Sequence, residues 1–92
     1  MNQLTYSVIV PVYNRPQEVT ELLESLTRQT LRDFEVVLVE DGSTITSEKV
    51  FEQYSSRLYL QYFFKPNTGP GPSRNFGFGK ARGNYFVVFD SD

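Results

Sequence analysis

Two carboxylates separated by one residue, Asp90 and Asp92, stand directly after the apolar run Tyr85-Phe86-Val87-Val88-Phe89. In extended backbone, residues two apart project to the same side. Two hard oxygen donors at that spacing can hold a divalent cation, and a cation held there can grip a diphosphate. The same tripeptide also suits a polar strand end, where Asp and Ser simply open a turn. Three other side chains extend the first reading. Tyr13 follows an apolar run and could stack on a planar base, a contact of about 1–3 kcal/mol; it could equally lid the helix it precedes. Asp41 could accept from a nucleobase imide N–H, since an ionised carboxylate is acceptor-only, or close an Asx turn with Gly42. Arg74, near a predicted helix start, could meet phosphate beside free backbone N–H groups, or pair with one of the eleven acids. Glu40, Lys49 and Arg57 read as solvated. Lys80 and Arg82 read as cations suited to a helix end, with no chemistry of their own.

The elements that must position these groups follow from periodicity. Ser7-Val8-Ile9-Val10-Pro11-Val12 is a continuous β-branched run, as in strands buried on both faces of a parallel sheet, with Pro11 marking its end. Val19, Leu22, Leu23 and Leu26 fall on one helix face behind Pro16 in the first turn. Residues 34–39 form a second strand closed by Glu40-Asp41-Gly42-Ser43. A shorter helix spans Ser47 to Tyr54 with Val50, Phe51 and Tyr54 inward, and Leu58 to Phe64 reads as a third strand. Residues 65–73 are dense in turn formers, and Pro72 opens a third helix reaching Ala81. Gly77 and Gly79 would each cost that helix about 1 kcal/mol, which suggests close packing or a ligand near the backbone. Tyr85 to Asp90 is the fourth strand.

The order β-α-β-α-β-α-β implies right-handed crossovers and a parallel sheet with helices on both faces. The expected strand order is 3-2-1-4, half of a doubly wound fold, with its switch point between strands one and four. Ligands of such sheets bind beyond the carboxyl ends of the strands. Residues 11–14, 40–43 and 90–92 converge there.

Composition removes the competing classes. The 92 residues make a single domain, 1–92, and contain neither Cys nor His. That excludes a disulfide framework, zinc–thiolate sites, a cysteine nucleophile and any histidine base. A net charge of -2 with nine scattered basic residues argues against nucleic acid as a partner. No G-x-G-x-x-G follows the first strand and no G-K-[ST] occurs, so dinucleotide and P-loop readings fail. Neither a leader pattern nor a membrane-length apolar run is present. The expected location is the cytoplasm, free or peripheral at the inner face of the membrane.

In Val8-Ile9-Val10-Pro11-Val12-Tyr13-Asn14, Phe34 through Asp41-Gly42-Ser43-Thr44, Asn67-Thr68-Gly69, Ser73-Arg74-Asn75-Phe76-Gly77, Ala81-Arg82-Gly83-Asn84-Tyr85 and Asp90-Ser91-Asp92, the chain resembles the nucleotide-binding half of a family 2 glycosyltransferase of GT-A-type fold. The resemblance implies a Rossmann-like half of that fold that binds a nucleoside diphosphate sugar. Pro11, Val12 and Tyr13 would line the base pocket, and Asp41 would bind the edge of uracil or another base. Arg74 would lie near the phosphates. Asp90 would face ribose and metal, Ser91 would contact the nucleotide sugar, and Asp92 would ligate Mn2+ or Mg2+. Ile45 stands where the family often has Asp, and Ser73 where it often has Ala. Family members continue well past the D-x-D element into a segment carrying the acceptor site and a carboxylate general base. The resemblance therefore implies an inverting transferase whose base lies downstream, this chain being an inactive donor-binding fragment. The acceptor would be a saccharide or lipid-linked saccharide. A non-catalytic nucleotide-sugar module and a nucleotidyltransferase are the alternatives, although Val12-Tyr13-Asn14-Arg15-Pro16 is not the Gly-rich, Arg-containing loop that the latter wants. The apolar run 85–89, at a sheet edge, predicts a homodimer through that strand or further residues that cover it.

Overall fold

β-Branched residues dominate the two central strands because both faces of those strands are covered. β1 (Tyr6–Val12) is exposed only at its first residue, and β2 (Phe34–Asp41) is buried throughout. β3 (Tyr59–Lys65) pairs outside β2 and β4 (Tyr85–Val88) outside β1, all parallel, giving the expected order β3-β2-β1-β4. The structure, a computed structural model, describes residues 4–30 and 32–89. The carboxylate pair, Asp90 and Asp92, with Ser91 between them, lies outside the described residues.

Alternate residues of the central strands feed two cores. Val8, Val10, Val12, Val36 and Leu38 pack toward α1 (Pro16–Thr27) and α2 (Glu48–Tyr54). Val19 and Leu23 are buried there, with Leu22 and Leu26 partly so, which is the predicted face of α1. Tyr54 is buried beside partly buried Val50 and Phe51, as expected for α2. Ile9, Val37 and Val39 face the other way, toward Phe63 of β3 and Phe76 and Phe78 of α3 (Pro70–Lys80). Among the described residues, no helix is long and apolar enough to cross a membrane.

Several boundaries shift by a residue or two from expectation, and two of the shifts involve prolines. Pro11 lies inside β1 rather than ending it. Phe89 N–H donates to the Ile9 carbonyl (2.8 Å), so odd positions of β1 turn their backbone toward β4. Pro11 therefore falls on the β4 side, one step past the last described pair, Ile9 with Val88. Its missing N–H takes nothing from the pairing with β2. The third helix begins at Pro70, not Pro72. Its first helical bond runs from Ser73 N–H to the Gly69 carbonyl (3.2 Å), so positions 70–72 need no N–H and both prolines fit. A Cβ on Gly77 would lie 2.5 Å from Ile9 Cγ2, so this glycine lets α3 press on β1. Gly79 has nothing within 4 Å, and nothing in the structure explains it.

Candidate functional site

Past the carboxyl end of β1, Asn14 takes a left-handed conformation (φ 53), which asparagine tolerates better than most residues. Its N–H donates to Ser43 Oγ (2.8 Å), and its Oδ1 accepts from the backbone N–H groups of Thr44 (2.8 Å) and Ile45 (2.9 Å). One side chain thus joins the loop after β1 to the loop after β2. Beneath this joint sits Glu40, expected at the surface but fully buried. A buried carboxylate must be supplied with donors, and Glu40 accepts from the Ser43 hydroxyl, Ser47 N–H (2.6 Å) and the Tyr62 hydroxyl (3.0 Å). Burial, reinforced by the bond to Glu40, pushes the Tyr62 hydroxyl well above its usual range. Tyr13, next to Asn14, is 47% exposed, so about half of its surface is open to solvent.

Asp41 ends β2 with a side chain only 7% exposed. Oδ1 accepts from Thr68 N–H (2.8 Å) and from Lys65 Nζ (3.1 Å); Oδ2 accepts from Gly69 N–H (3.0 Å). Burial alone would raise this carboxyl, but the Thr68, Lys65 and Gly69 donors outweigh it and hold the group below the usual carboxylate range. A carboxylate has about four acceptor sites. With three of them used, Oδ2 keeps room for one further N–H. The other donors of Lys65 Nζ reach the Pro66 carbonyl (2.8 Å) and Thr68 Oγ1, so its ammonium clamps the loop before α3.

Arg74 is half-buried on α3. One guanidinium nitrogen lies 3.9 Å from the point a Cβ on Gly71 would occupy, so the side chain reaches back over the first turn of the helix, toward the end where Gly69 bonds Asp41. The expected supply of free N–H groups there is thin, because Pro70 and Pro72 have none and only Gly71 supplies one among the first three positions. Pro11 is buried, and Val12, 1% exposed, points its side chain into the core; a ligand beside Val12 would meet backbone. Among the described residues, no group of three or more acidic, His or Cys side chains could hold a metal.

The structure therefore joins the loops after β1 and β2 through Asn14 and Ser43, and ties the end of β2 to the start of α3 through Asp41. The linking residues Asn14, Lys65 and Thr68 were not singled out by sequence; an Asn directly after a strand, able to adopt positive φ, was the available signal. A cavity of about 360 Å³ lined by Arg32, Ser55 and Arg57 lies at the opposite end, where strands begin. There the Arg32 guanidinium donates to the carbonyls of Thr27, Gln29 and Arg57 and holds two loops together.

Known proteins share this arrangement. The model of "Glycosyl transferase family 2" matches residues 7–92. An uncharacterized glycosyltransferase of Rickettsia bellii is 41% identical over 86 residues, 94% of this chain and 12% of that protein. The poly(ribitol-phosphate) β-N-acetylglucosaminyltransferase TarS of Staphylococcus aureus is 40% identical over 93 residues, 97% of this chain and 16% of that protein. The chain thus spans well under a third of the length of these two relatives. The crystal structure of S. aureus TarS 1–349 in complex with UDP-GlcNAc superposes with a TM-score of 0.88 at 40% identity, covering 97% of this chain and 27% of that one. The mannosyltransferase PcManGT of Pyrobaculum calidifontis, solved with GDP-Man and Mn2+, superposes at 0.83 with 25% identity, covering 98% and 28%. The family model covers nearly all of the chain and the sheet order agrees with it; the chain belongs to glycosyl transferase family 2.

Proposed function

We propose that this chain is the donor-binding part of a glycosyltransferase and holds a nucleoside diphosphate sugar, UDP-linked in the first instance, beyond the carboxyl ends of β1, β2 and β4. The observation that carries the reading is the joining of three loops at that end, with Tyr13 exposed and one acceptor site open on Asp41. Solved relatives holding UDP-GlcNAc and GDP-Man support it. Tyr13 would stack on the base and Asp41 would accept its imide N–H, with Pro11 and the Val12 backbone forming the floor. Arg74 would face the phosphates, and Ser91 would touch the nucleotide sugar.

Hard carboxylate oxygens suit Mn2+ or Mg2+, and the residue before Asp90, Phe89, still bonds Ile9 at the end of the sheet. Asp90 and Asp92 would hold the cation, with Asp90 also turned to the ribose; once bound, it supplies positive charge against the diphosphate. The reaction served would be inverting transfer to the hydroxyl of a saccharide or lipid-linked saccharide. Its general base and acceptor site belong to sequence beyond this stretch, so the 92 residues alone would bind donor without transferring it. Cytoplasmic residence, free or at the inner face of a membrane, fits such a donor.

Calorimetry with UDP, with and without Mn2+, tests the reading. Binding should need the cation, and Asp92→Ala should weaken it by about tenfold or more. Equal UDP affinity in EDTA would remove the metal from the proposal; no UDP binding under either condition would remove the donor site.

A further inference from the structure

We propose that Glu35 is a positioning residue for the Asp90–Asp92 pair, acting through Ser7 and the Arg82–Gly83 turn to fix the register of β4; the metal-binding consequence rests on the donor-site reading above. Glu35 sits at the start of β2, at the opposite end from Asp41, and is fully buried. Four donors supply its carboxylate. Oε2 accepts from the Ser7 hydroxyl (2.7 Å) and from Arg82 N–H; Oε1 accepts from Gln61 Nε2 (2.8 Å) and Arg82 Nε (3.2 Å). Ser7 Oγ accepts in turn from Gly83 N–H (2.8 Å). The Arg82 side chain is 61% exposed, so its ion pair is screened. The buried bond from Ser7 and the part-buried bond from the Arg82 N–H carry the clamp. Burial would raise the Glu35 carboxyl, but these donors outweigh it and keep the group charged below its usual range.

The clamp lies immediately before β4. A Cβ on Gly83 would stand 2.7 Å from both Ser7 Oγ and the Tyr6 carbonyl carbon, so the turn presses directly on β1. The N–H groups of Asn84 and Tyr85 then both donate to the Thr5 carbonyl (2.9 Å each). β4 has need of such anchoring. It pairs only with β1 among the described strands, over four residues, and every one of its side chains is at least 38% exposed. Ring contacts of Tyr85 with Tyr6 (5.8 Å) and of Phe86 with Phe78 (5.3 Å) hold its first two residues, and the turn before it adds a fixed starting point for the register. A slip of one residue would displace the strand by about 3.3 Å and exchange its faces. Phe89, whose N–H bonds the Ile9 carbonyl, is the last described residue before the carboxylate pair, so the register of the strand leading to that pair is counted from the turn that Glu35 holds.

Glu35→Gln keeps the shape of the side chain but sets an NH2 group against one pair of donors. In the 92-residue chain, amide hydrogen exchange of Val87 and Phe89, whose N–H groups face β1, should become about tenfold faster while residues 36–39 keep their protection. Mn2+ affinity, read by paramagnetic titration, should weaken about tenfold. Ser7→Ala, which removes the bridge between Glu35 and Gly83, should reproduce the exchange result even if Glu35→Gln fails to fold. Arg82→Ala, which keeps the backbone N–H, should not. Wild-type exchange rates in β4 of either folded variant would overturn the clamp, as would acceleration spread evenly over the core. If the wild-type chain takes up no Mn2+, the metal reading fails, and the β4 exchange rates still decide the role of Glu35.

Discussion

Asp41 serves two masters, because the oxygens proposed to read the base already hold the loop that leads into α3. Loss of its charge should therefore be felt twice. Asp41→Asn should reduce UDP affinity while leaving Mn2+ binding near normal, and should also lower stability by ~1–2 kcal/mol through the Thr68, Lys65 and Gly69 bonds. The folded-state carboxyl is depressed below its unfolded value. Its stabilising contribution is thus full above the unfolded pKa, about 4, and is lost as pH falls through the folded pKa. Thermal melts from neutral pH downward check this: the gap between wild type and Asp41→Asn should be widest near pH 6 and close in strong acid. A gap independent of pH would mean that the ionised carboxylate is not what holds the loop.

At the level of elements, α3 is seated by one glycine and burdened by another. Gly77→Ala would drive a methyl into Ile9 Cγ2, so the helix must lift from the sheet. Overpacking of this kind costs ~1–3 kcal/mol, more than the gain of up to about 1 kcal/mol in helix propensity. Gly79→Ala meets open space and should raise the melting temperature for the propensity gain alone. Opposite shifts in the two melts are expected; two shifts of the same sign would contradict the packing of α3 on β1. The strands were legible in sequence as short apolar runs, β-branched or aromatic, bounded by turn residues, and α1 because its apolar residues repeat at the helical period. The start of α3 was not: two prolines two residues apart offered two equally good first turns, and the choice depends on Gly69 at φ 98. Glu40 and Glu35 were misread or passed over for a different reason. A glutamate in a strand is normally solvated, and what permits burial here is donors from distant segments, such as Arg82, 47 residues beyond Glu35.

For the whole molecule, the exposed edge is the dominant fact. Tyr85, Phe86, Val87 and Phe89 are 44–63% exposed, with no lysine or proline among them to discourage pairing. Sedimentation of the 92-residue chain should show self-association rising with concentration, and Val87→Lys should reduce it. A wild type that stays monomeric throughout would show that the edge is shielded in another way. The clamp that anchors this strand also dictates when the molecule can form. β1 is the first strand and β4 the last, and the Ser7–Gly83 bond closes a separation of 76 residues. Gln61 lies on β3 and two donors come from Arg82, so an early β1–β2 pair would bury the charge with only the Ser7 donor. Consolidation must wait until Arg82 and Gly83 are in place. Folding should accordingly be slow and concerted, in keeping with its long-range pairings, and a nascent chain would carry the unfinished middle of its sheet until β4 has been made.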